Sequence, residues 1–121
     1  MGINSTEVSF GFGQMGSAYL DDTGAYTPPT GKIIVAITIV AADTRFTLLT
    51  PDTSGYLDGT TGAALKGASA YIGTSTVAQN GAQAEAIASG DTFPAGITIY
   101  GRWTAVTLAA GTVIMYMADV V

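Results

Sequence analysis

Residues 32–41 read Lys-Ile-Ile-Val-Ala-Ile-Thr-Ile-Val-Ala, a stretch that is apolar at nearly every position. Most of its residues are β-branched, and β-branched side chains lose rotamer freedom in a helix, so the composition favours a strand. A strand without polar alternation is typical of one that is covered on both faces. The stretch therefore predicts a central β-strand, buried either inside a sandwich core or beneath a neighbouring subunit.

Further strands are predicted on both sides of this stretch. Residues 44–50 form a second apolar run that ends at Pro51, and residues 97–108 alternate between apolar and polar side chains. A short Gly-containing turn at 109–111 then predicts a hairpin with residues 112–118. Gly101 lies inside the alternating run and indicates a bulge. The alternation places Ile97, Ile99, Trp103 and Ala105 on one face and Tyr100, Arg102, Thr104, Val106 and Leu108 on the other.

The fold class expected from these runs is all-β, a single antiparallel β-sandwich or jelly-roll-like domain over residues 31–121. Residues 1–30 are rich in Gly and lack a sustained period, which predicts an extended N-terminal arm or a loosely attached edge strand. Two long loops are expected at 51–68 and 73–91, with a short strand near 69–72 between them.

Charge is sparse in this chain. Only 11% of its 121 residues are charged and the net charge is −5, whereas soluble domains carry about a quarter of charged residues. Such a surface is typical of a protein packed against other subunits. The four basic residues are scattered, which argues against nucleic acid and anionic membranes as partners. The apolar runs are too short to span a bilayer, and the first residues do not read as a secretory signal.

The residue types of this chain give little support to a catalytic function. The chain has no His and no Cys, so triads and thiolate metal sites are excluded, and we predict no enzyme, no cofactor and no metal. Gly11–Gly16 matches GxGxxG in letters only, because no βαβ unit surrounds it. The acidic pairs Asp21/Asp22 and Asp52/Asp58 read as turn residues, since neither has the spacing of an EF-hand loop.

Aromatic side chains and one arginine are the predicted contact residues between subunits. Aromatics and Arg are enriched at protein interfaces, and the planar Arg102 guanidinium suits an ion pair with an acid of another subunit. The alternatives are that the N-terminal aromatics cover the protein's own core and that Arg102 is simply exposed. The predicted interface residues are Phe10, Phe12, Tyr19, Tyr26, Tyr100 and Arg102.

Both ends of the chain resemble small virion structural proteins of marine and cyanobacterial tailed phages. The likeness covers MGINSTEVSFGFGQMGSAYLDDTGAYTPPTGKIIVAITIVAADTRF at residues 1–46 and FPAGITIYGRWTAVTLAAGTVIMYM at residues 93–117. It implies a place in a phage particle without assigning a position within it, and it implies no catalytic residue. We expect the phage head as the location. By analogy it suggests a capsid decoration or cement protein, a homotrimer that binds the major capsid protein and copies of itself.

Two other functions stay open at this point. A tail or neck accessory protein would have the same composition and would also be structural. A carbohydrate-binding module displayed on the particle would place exposed aromatics in the long loops, where only Tyr56 and Tyr71 lie at or near the ends.

Overall fold

The computed structural model describes residues 15–52, 71–75 and 85–119, which contain five β-strands and no helix. The strands form one antiparallel sheet in the order β1-β5-β2-β4-β3. This confirms the all-β prediction. All five strands belong to a single sheet, so the second layer of a sandwich is not confirmed. The strands are β1 (Ser17–Leu20), β2 (Lys32–Ile39), β3 (Arg45–Pro51), β4 (Thr98–Ala110) and β5 (Val113–Asp119).

Strand β2 is buried on both faces, as its apolar sequence predicts. Ile34, Ile37 and Ile39 lie in the main core, and each is fully buried. Ile33 and Ala36 are equally buried but face the other side of the sheet. The switch of face occurs at Val35, where β2 has one more residue than β5 in the ladder. Hydrogen bonding to β5 on one edge and to β4 on the other satisfies the backbone of this buried strand.

Strand β4 breaks the predicted alternation. Trp103 and Val106 both lie in the core, although residues three positions apart on a regular strand face opposite sides. In the ladder with β3, Ala105 pairs with Thr50 and Trp103 pairs with Pro51, so Thr104 is an extra residue on β4. A bulge of this kind reverses the faces beyond it. The predicted placement of Val106 and Leu108 with Tyr100 and Arg102, and of Ala105 with Trp103, is therefore wrong.

The first half of β4 agrees with the prediction. Trp103 is fully buried on the core side, whereas Tyr100, on the opposite face, is 63% exposed. The bulge expected at Gly101 is confirmed, since β4 has one residue more than β2 between Tyr100 and Trp103. A Cβ on Gly101 would come within 2.6 Å of the Trp103 ring, so the glycine leaves the space that the indole fills.

The predicted hairpin between β4 and β5 is wrong in its pairing. Only Gly111 and Thr112 separate the two strands, but β2 lies between them in the sheet. In the same way, residues 40–44 join β2 to β3, and β4 lies between those strands. The most apolar strand has a partner on both edges in this arrangement, as a buried strand requires. Both short connections therefore skip a strand.

These two connections meet at one end of the sheet. The amide of Val40 donates to the carbonyl of Thr112 (2.9 Å), and the amide of Thr112 donates to Thr44 Oγ1 (3.3 Å). Thr44 Oγ1 in turn donates to the carbonyl of Ala41 (2.7 Å). Gly111 has a φ of 98°, and a Cβ there would overlap Thr44 Oγ1 and come within 2.6 Å of Thr44 Cα. No residue larger than glycine fits this contact.

The described part of the predicted N-terminal arm belongs to the sheet. Strand β1 pairs with β5 as an edge strand, and its Ala18 and Leu20 pack against the core. Tyr26 exchanges two backbone hydrogen bonds with Val106, at 2.8 and 2.9 Å. Residues 17–26 are thus attached to the domain, which agrees with the edge strand that the sequence analysis gave as the alternative to an arm. The prediction of an arm at residues 1–14 lies outside the described residues.

Irregular segments cover the core at the β3 side. Trp103 Nε1 donates to the carbonyl of Ile72 (2.6 Å), and the amide of Thr74 donates to the carbonyl of Leu49 (2.9 Å). The Phe93 ring meets the Phe46 ring edge-on at 5.4 Å. Residues 71 and 72 are not part of a strand, so the described end of the short strand predicted at 69–72 is not formed. The described parts of the loops at 51–68 and 73–91 contain no helix.

We expect Gly111→Ala to destabilise the fold far more than Gly96→Ala. Both glycines have a positive φ, 98° and 94°, but nothing lies within 4 Å of a Cβ at Gly96. The Gly96 variant should lose about 1–2 kcal/mol from backbone strain alone, and the Gly111 variant about 2–3 kcal/mol more because of overpacking. Urea unfolding followed by circular dichroism measures both. Equal losses would show that the contact with Thr44 is unimportant.

Candidate interaction surface

One face of the sheet lies away from the main core cluster and carries no charged side chain at its centre. Directly paired residues of antiparallel strands share a face, and the register gives two adjacent rows that cross β1, β5, β2 and β4 in that order. We call these eight residues the tyrosine face: Tyr19, Ile114, Thr38 and Thr98 in one row, and Ser17, Tyr116, Ala36 and Tyr100 in the other.

The tyrosine face presents large aromatic side chains to solvent. Tyr19 is 65% exposed and Tyr100 is 63% exposed, on the two outer strands of the four. Tyr116 is half-buried between them, and Ala36 beside it is buried. Thr38 and Thr98 join across β2 and β4 through a hydrogen bond between their hydroxyls (2.9 Å). Tyrosines on a rigid strand lose little entropy when they are covered, so such a face is suited to contact with another surface.

Arg102 lies at the edge of this face and has a carboxylate partner in its own chain. Its Nε donates to Asp52 Oδ2 (3.3 Å), and the Asp52 amide donates to the Arg102 carbonyl (2.8 Å). The Asp52 side chain is 3% exposed and the Arg102 side chain 27%. The acid that we expected from another subunit thus comes from the same molecule. Arg102 is therefore the more exposed member of the pair.

Tyr26 lies on the opposite side of the sheet from Tyr19 and Tyr100. It packs against the core, and its hydroxyl donates to Met117 Sδ (3.7 Å). Burial raises the pKa of the Tyr26 phenol above its ordinary value of 10.0. Tyr26 therefore packs on the core of its own molecule, which was the alternative to an interface role for the N-terminal aromatics. Phe10 and Phe12 lie outside the described residues, and their place in an interface stays a prediction.

The sequence prediction brought together only part of this face. Of its predicted interface residues, Tyr19 and Tyr100 lie on the tyrosine face and Arg102 lies at its edge. Tyr116 and Ile114 were missed, although the alternation of residues 112–118 places both on the side away from Met115. That alternation was the available signal, but the incorrect hairpin would have paired β5 with the wrong strand.

Asp22 has the turn role that the sequence predicts for the acidic pairs, whereas Asp52 is buried. Asp22 Oδ1 accepts a hydrogen bond from the Gly24 amide (2.9 Å), the short-range contact that a turn-forming Asp makes. Within residues 15–52, 71–75 and 85–119, no three His, Cys, Asp or Glu side chains are grouped as metal ligands. Asp58 lies outside these ranges, and Asp52 is engaged with Arg102. The described ranges also contain no helix with the length and apolarity needed to cross a membrane.

Comparison with known proteins adds no relative. No family model matches the chain, and no significant match was found among curated proteins or solved structures.

We expect Arg102→Gln to destabilise the protein by about 2 kcal/mol, because it removes the ion pair that Arg102 forms with the buried Asp52 carboxylate. Lys32→Gln is the matched control. Lys32 pairs with Asp119 at 2.7 Å, but these side chains are 31% and 50% exposed, and exposed pairs contribute about 0.2–1 kcal/mol. Urea midpoints of both variants test the difference. A similar loss of unfolding free energy in both variants would show that the burial of Asp52 does not strengthen its ion pair with Arg102.

Stability should fall at alkaline pH because of Tyr26. The folded protein holds this phenol neutral beyond its ordinary pKa of 10.0, so above about pH 10 the unfolded chain ionises first and unfolding becomes easier. Tyr26→Phe should remove this part of the alkaline loss, and Tyr19→Phe on the exposed face should not. Unfolding midpoints at about pH 8 and about pH 11 measure the effect. The same alkaline loss in wild type and Tyr26→Phe would contradict it.

Proposed function

We propose that this protein is a structural component of a phage virion, specifically a capsid decoration protein that stabilises the shell by binding between capsomers. The observation that carries the proposal is the tyrosine face, whose eight residues are uncharged and on which Tyr19 and Tyr100 are largely exposed. The resemblance of residues 1–46 and 93–117 to small virion proteins supports it independently of that surface.

The energetics of such a role agree with the surface. Covering one large apolar side chain contributes roughly 1.5–3 kcal/mol, so a few tyrosines give a modest contact. A shell offers the same contact many times, and multivalent attachment multiplies modest affinities. A decoration protein needs no catalytic group, and the low charge of this chain reduces the desolvation cost of being covered.

The proposed partners are the major capsid protein and further copies of this chain, with a homotrimer as the assembly suggested by analogy. Nucleic acid and membrane surfaces are not proposed as partners. Binding of phosphates requires a cluster of free basic side chains, and two of the four basic residues, Lys32 and Arg102, are already paired with acids of the same chain.

A carbohydrate-binding module is less well supported. Tryptophan is the strongest stacking surface for a sugar ring, and the only one in this chain, Trp103, is buried with its Nε1 bonded to Ile72. Tyr71, one of the two loop aromatics considered for this role, is half-buried. A tail or neck protein would use the same tyrosine face, and the copy number separates it from a head protein.

Quantitative mass spectrometry of purified virions from a phage that encodes this chain tests the proposal. We expect the chain in the particle, on the order of hundreds of copies, and in the head fraction after heads and tails are separated, because a decoration protein follows the symmetry of the shell. A few dozen copies in the tail fraction would move the protein to the neck or tail. Absence from the virion would overturn the proposal.

A further inference from the structure

We infer that residues 8–12 pair with the outer edge of β1 in the same chain and add a sixth, antiparallel strand to the sheet. This inference goes beyond the proposed function and does not rest on it. Residues 8–12 lie outside the described residues. The features that carry the inference are the open edge of β1, the covered edge of β3, the turn at Gly16 and the sequence before that turn.

The outer edge of β1 offers backbone groups for pairing. The Met117 amide donates to the Gly16 carbonyl (2.9 Å), and bonding residues alternate along an antiparallel pair. Gly16 and Ala18 therefore bond towards β5, whereas Ser17 and Tyr19 direct their amides and carbonyls away from it. Strand β1 is the last strand on this side of the sheet, and within the described ranges no backbone group bonds to that edge. Two donors and two acceptors are thus available to a further strand.

The sequence of β1 does not protect this edge. Proteins protect strand edges with Lys, Pro, bulges or a covering segment, because an open edge pairs with other chains. Strand β1 reads Ser-Ala-Tyr-Leu, and its ladder contains no bulge. The chain itself covers the other outer strand, β3. The Thr74 amide donates to the Leu49 carbonyl (2.9 Å), and the Leu49 amide donates to Thr74 Oγ1 (3.1 Å). We therefore expect a segment of the chain on the edge of β1 as well.

The chain enters β1 through a turn. Met15 lies in this turn, and Gly16 has a φ of 113°, a conformation that residues with a side chain rarely adopt. A residue with positive φ just before the second strand is common in short β-hairpin loops. Residues 13–16 (Gly-Gln-Met-Gly) have the length and the glycines of such a loop. Because β5 occupies the inner edge of β1, a strand before this turn can pair only with the outer edge.

The sequence before the turn has the pattern of a short strand. Residues 8–12 read Val-Ser-Phe-Gly-Phe, so large apolar side chains alternate with small residues. Val and Phe are favoured in strands, and alternation places Val8, Phe10 and Phe12 on one side of such a strand. Gly11 makes the strand weak on its own. Its formation therefore depends on the backbone groups that the edge of β1 offers.

Residues 8–12 are also the segment best placed to reach this edge. Residues 53–70 follow the end of β3, and residues 76–84 follow the stretch in which Thr74 bonds to Leu49 of β3, on the opposite side of the sheet. A connection of four residues keeps residues 8–12 beside β1 at a high effective concentration. A covered edge prevents two sheets from joining edge to edge, which leaves the faces of the sheet for contacts with other subunits.

Hydrogen exchange of the full, isotope-labelled chain, followed by NMR, tests the inference. The amides of Ser17 and Tyr19, here called the edge amides, should exchange at least about tenfold slower than in an unfolded chain, because the sixth strand bonds both of them. The amides of Ala18 and Leu20, which bond to β5, are the internal control for a folded β1. Fast exchange of the edge amides beside slow exchange of the control amides would overturn the inference.

A pair of prolines tests whether residues 8–12 are the segment that covers the edge. The double variant Phe10→Pro, Gly11→Pro removes two consecutive amides, one of which faces β1 in any register, and proline does not fit where a ladder bond is made. This variant should lose the slow exchange of the edge amides and keep that of the control amides. The matched control is Asn4→Pro, Ser5→Pro, which should exchange as wild type does. Edge amides that stay protected in the first variant would show that another segment covers β1.

A mixture of labelled and unlabelled chains, unfolded and refolded together, identifies the chain that supplies the strand. NMR contacts between residues 8–12 and β1 should arise only within one chain, because the short connection favours pairing in the same molecule. Contacts between a labelled and an unlabelled chain would mean that a second copy supplies the strand, and the inference would be wrong. Mass spectrometry of virions tests the proposed function independently, so the failure of one leaves the other standing.

Discussion

The contact between Thr44 and the turn at Gly111 is the constraint on which the arrangement of the sheet depends. Two short connections, residues 40–44 and residues 111–112, each skip a strand, so the strands that they join must interleave. The two connections contact each other directly, because the Val40 amide donates to the Thr112 carbonyl. The missing side chain of Gly111 allows that approach, and the Thr44 hydroxyl bonds to both connections.

Interleaving also explains how burial and exposure are divided. It holds β2 between β5 and β4, where its apolar residues are buried on both faces. The same register aligns tyrosine, threonine and small apolar residues on the side away from the core. Among the described residues, charged side chains lie in turns and at strand ends, apart from Arg102 and Asp52, which neutralise each other. An uncharged centre with charges at its rim is the anatomy of a protein interface, and the proposed function builds on that division.

The sequence contained enough to predict strands but not their neighbours. β-branched composition identified residues 32–39, and alternation placed Trp103 inside and Tyr100 outside, because both signals are local. Strand order depends on contacts between residues that are distant in the chain. The local signal of a turn at 109–111 therefore suggested a hairpin between β4 and β5, but β2 lies between these two strands. The extra residue at Thr104 could not be recognised from alternation alone, since a bulge reverses the pattern without a marker in composition. For the same reason Asp52, fifty positions from Arg102, could not be identified as its partner.

Interleaved strands also determine when this protein can fold. Every ladder between the five described strands joins residues that are more than fifty positions apart, and among these ladders only that of β3 with β4 joins consecutive strands. Sheets built from distant pairings fold slowly, over milliseconds to seconds, because closing long loops costs entropy before the stabilising contacts form. Strand β5, the last to be synthesised, lies between β1 and β2. Residues 113–119 must therefore leave the ribosome before β1 has its neighbour among the five described strands.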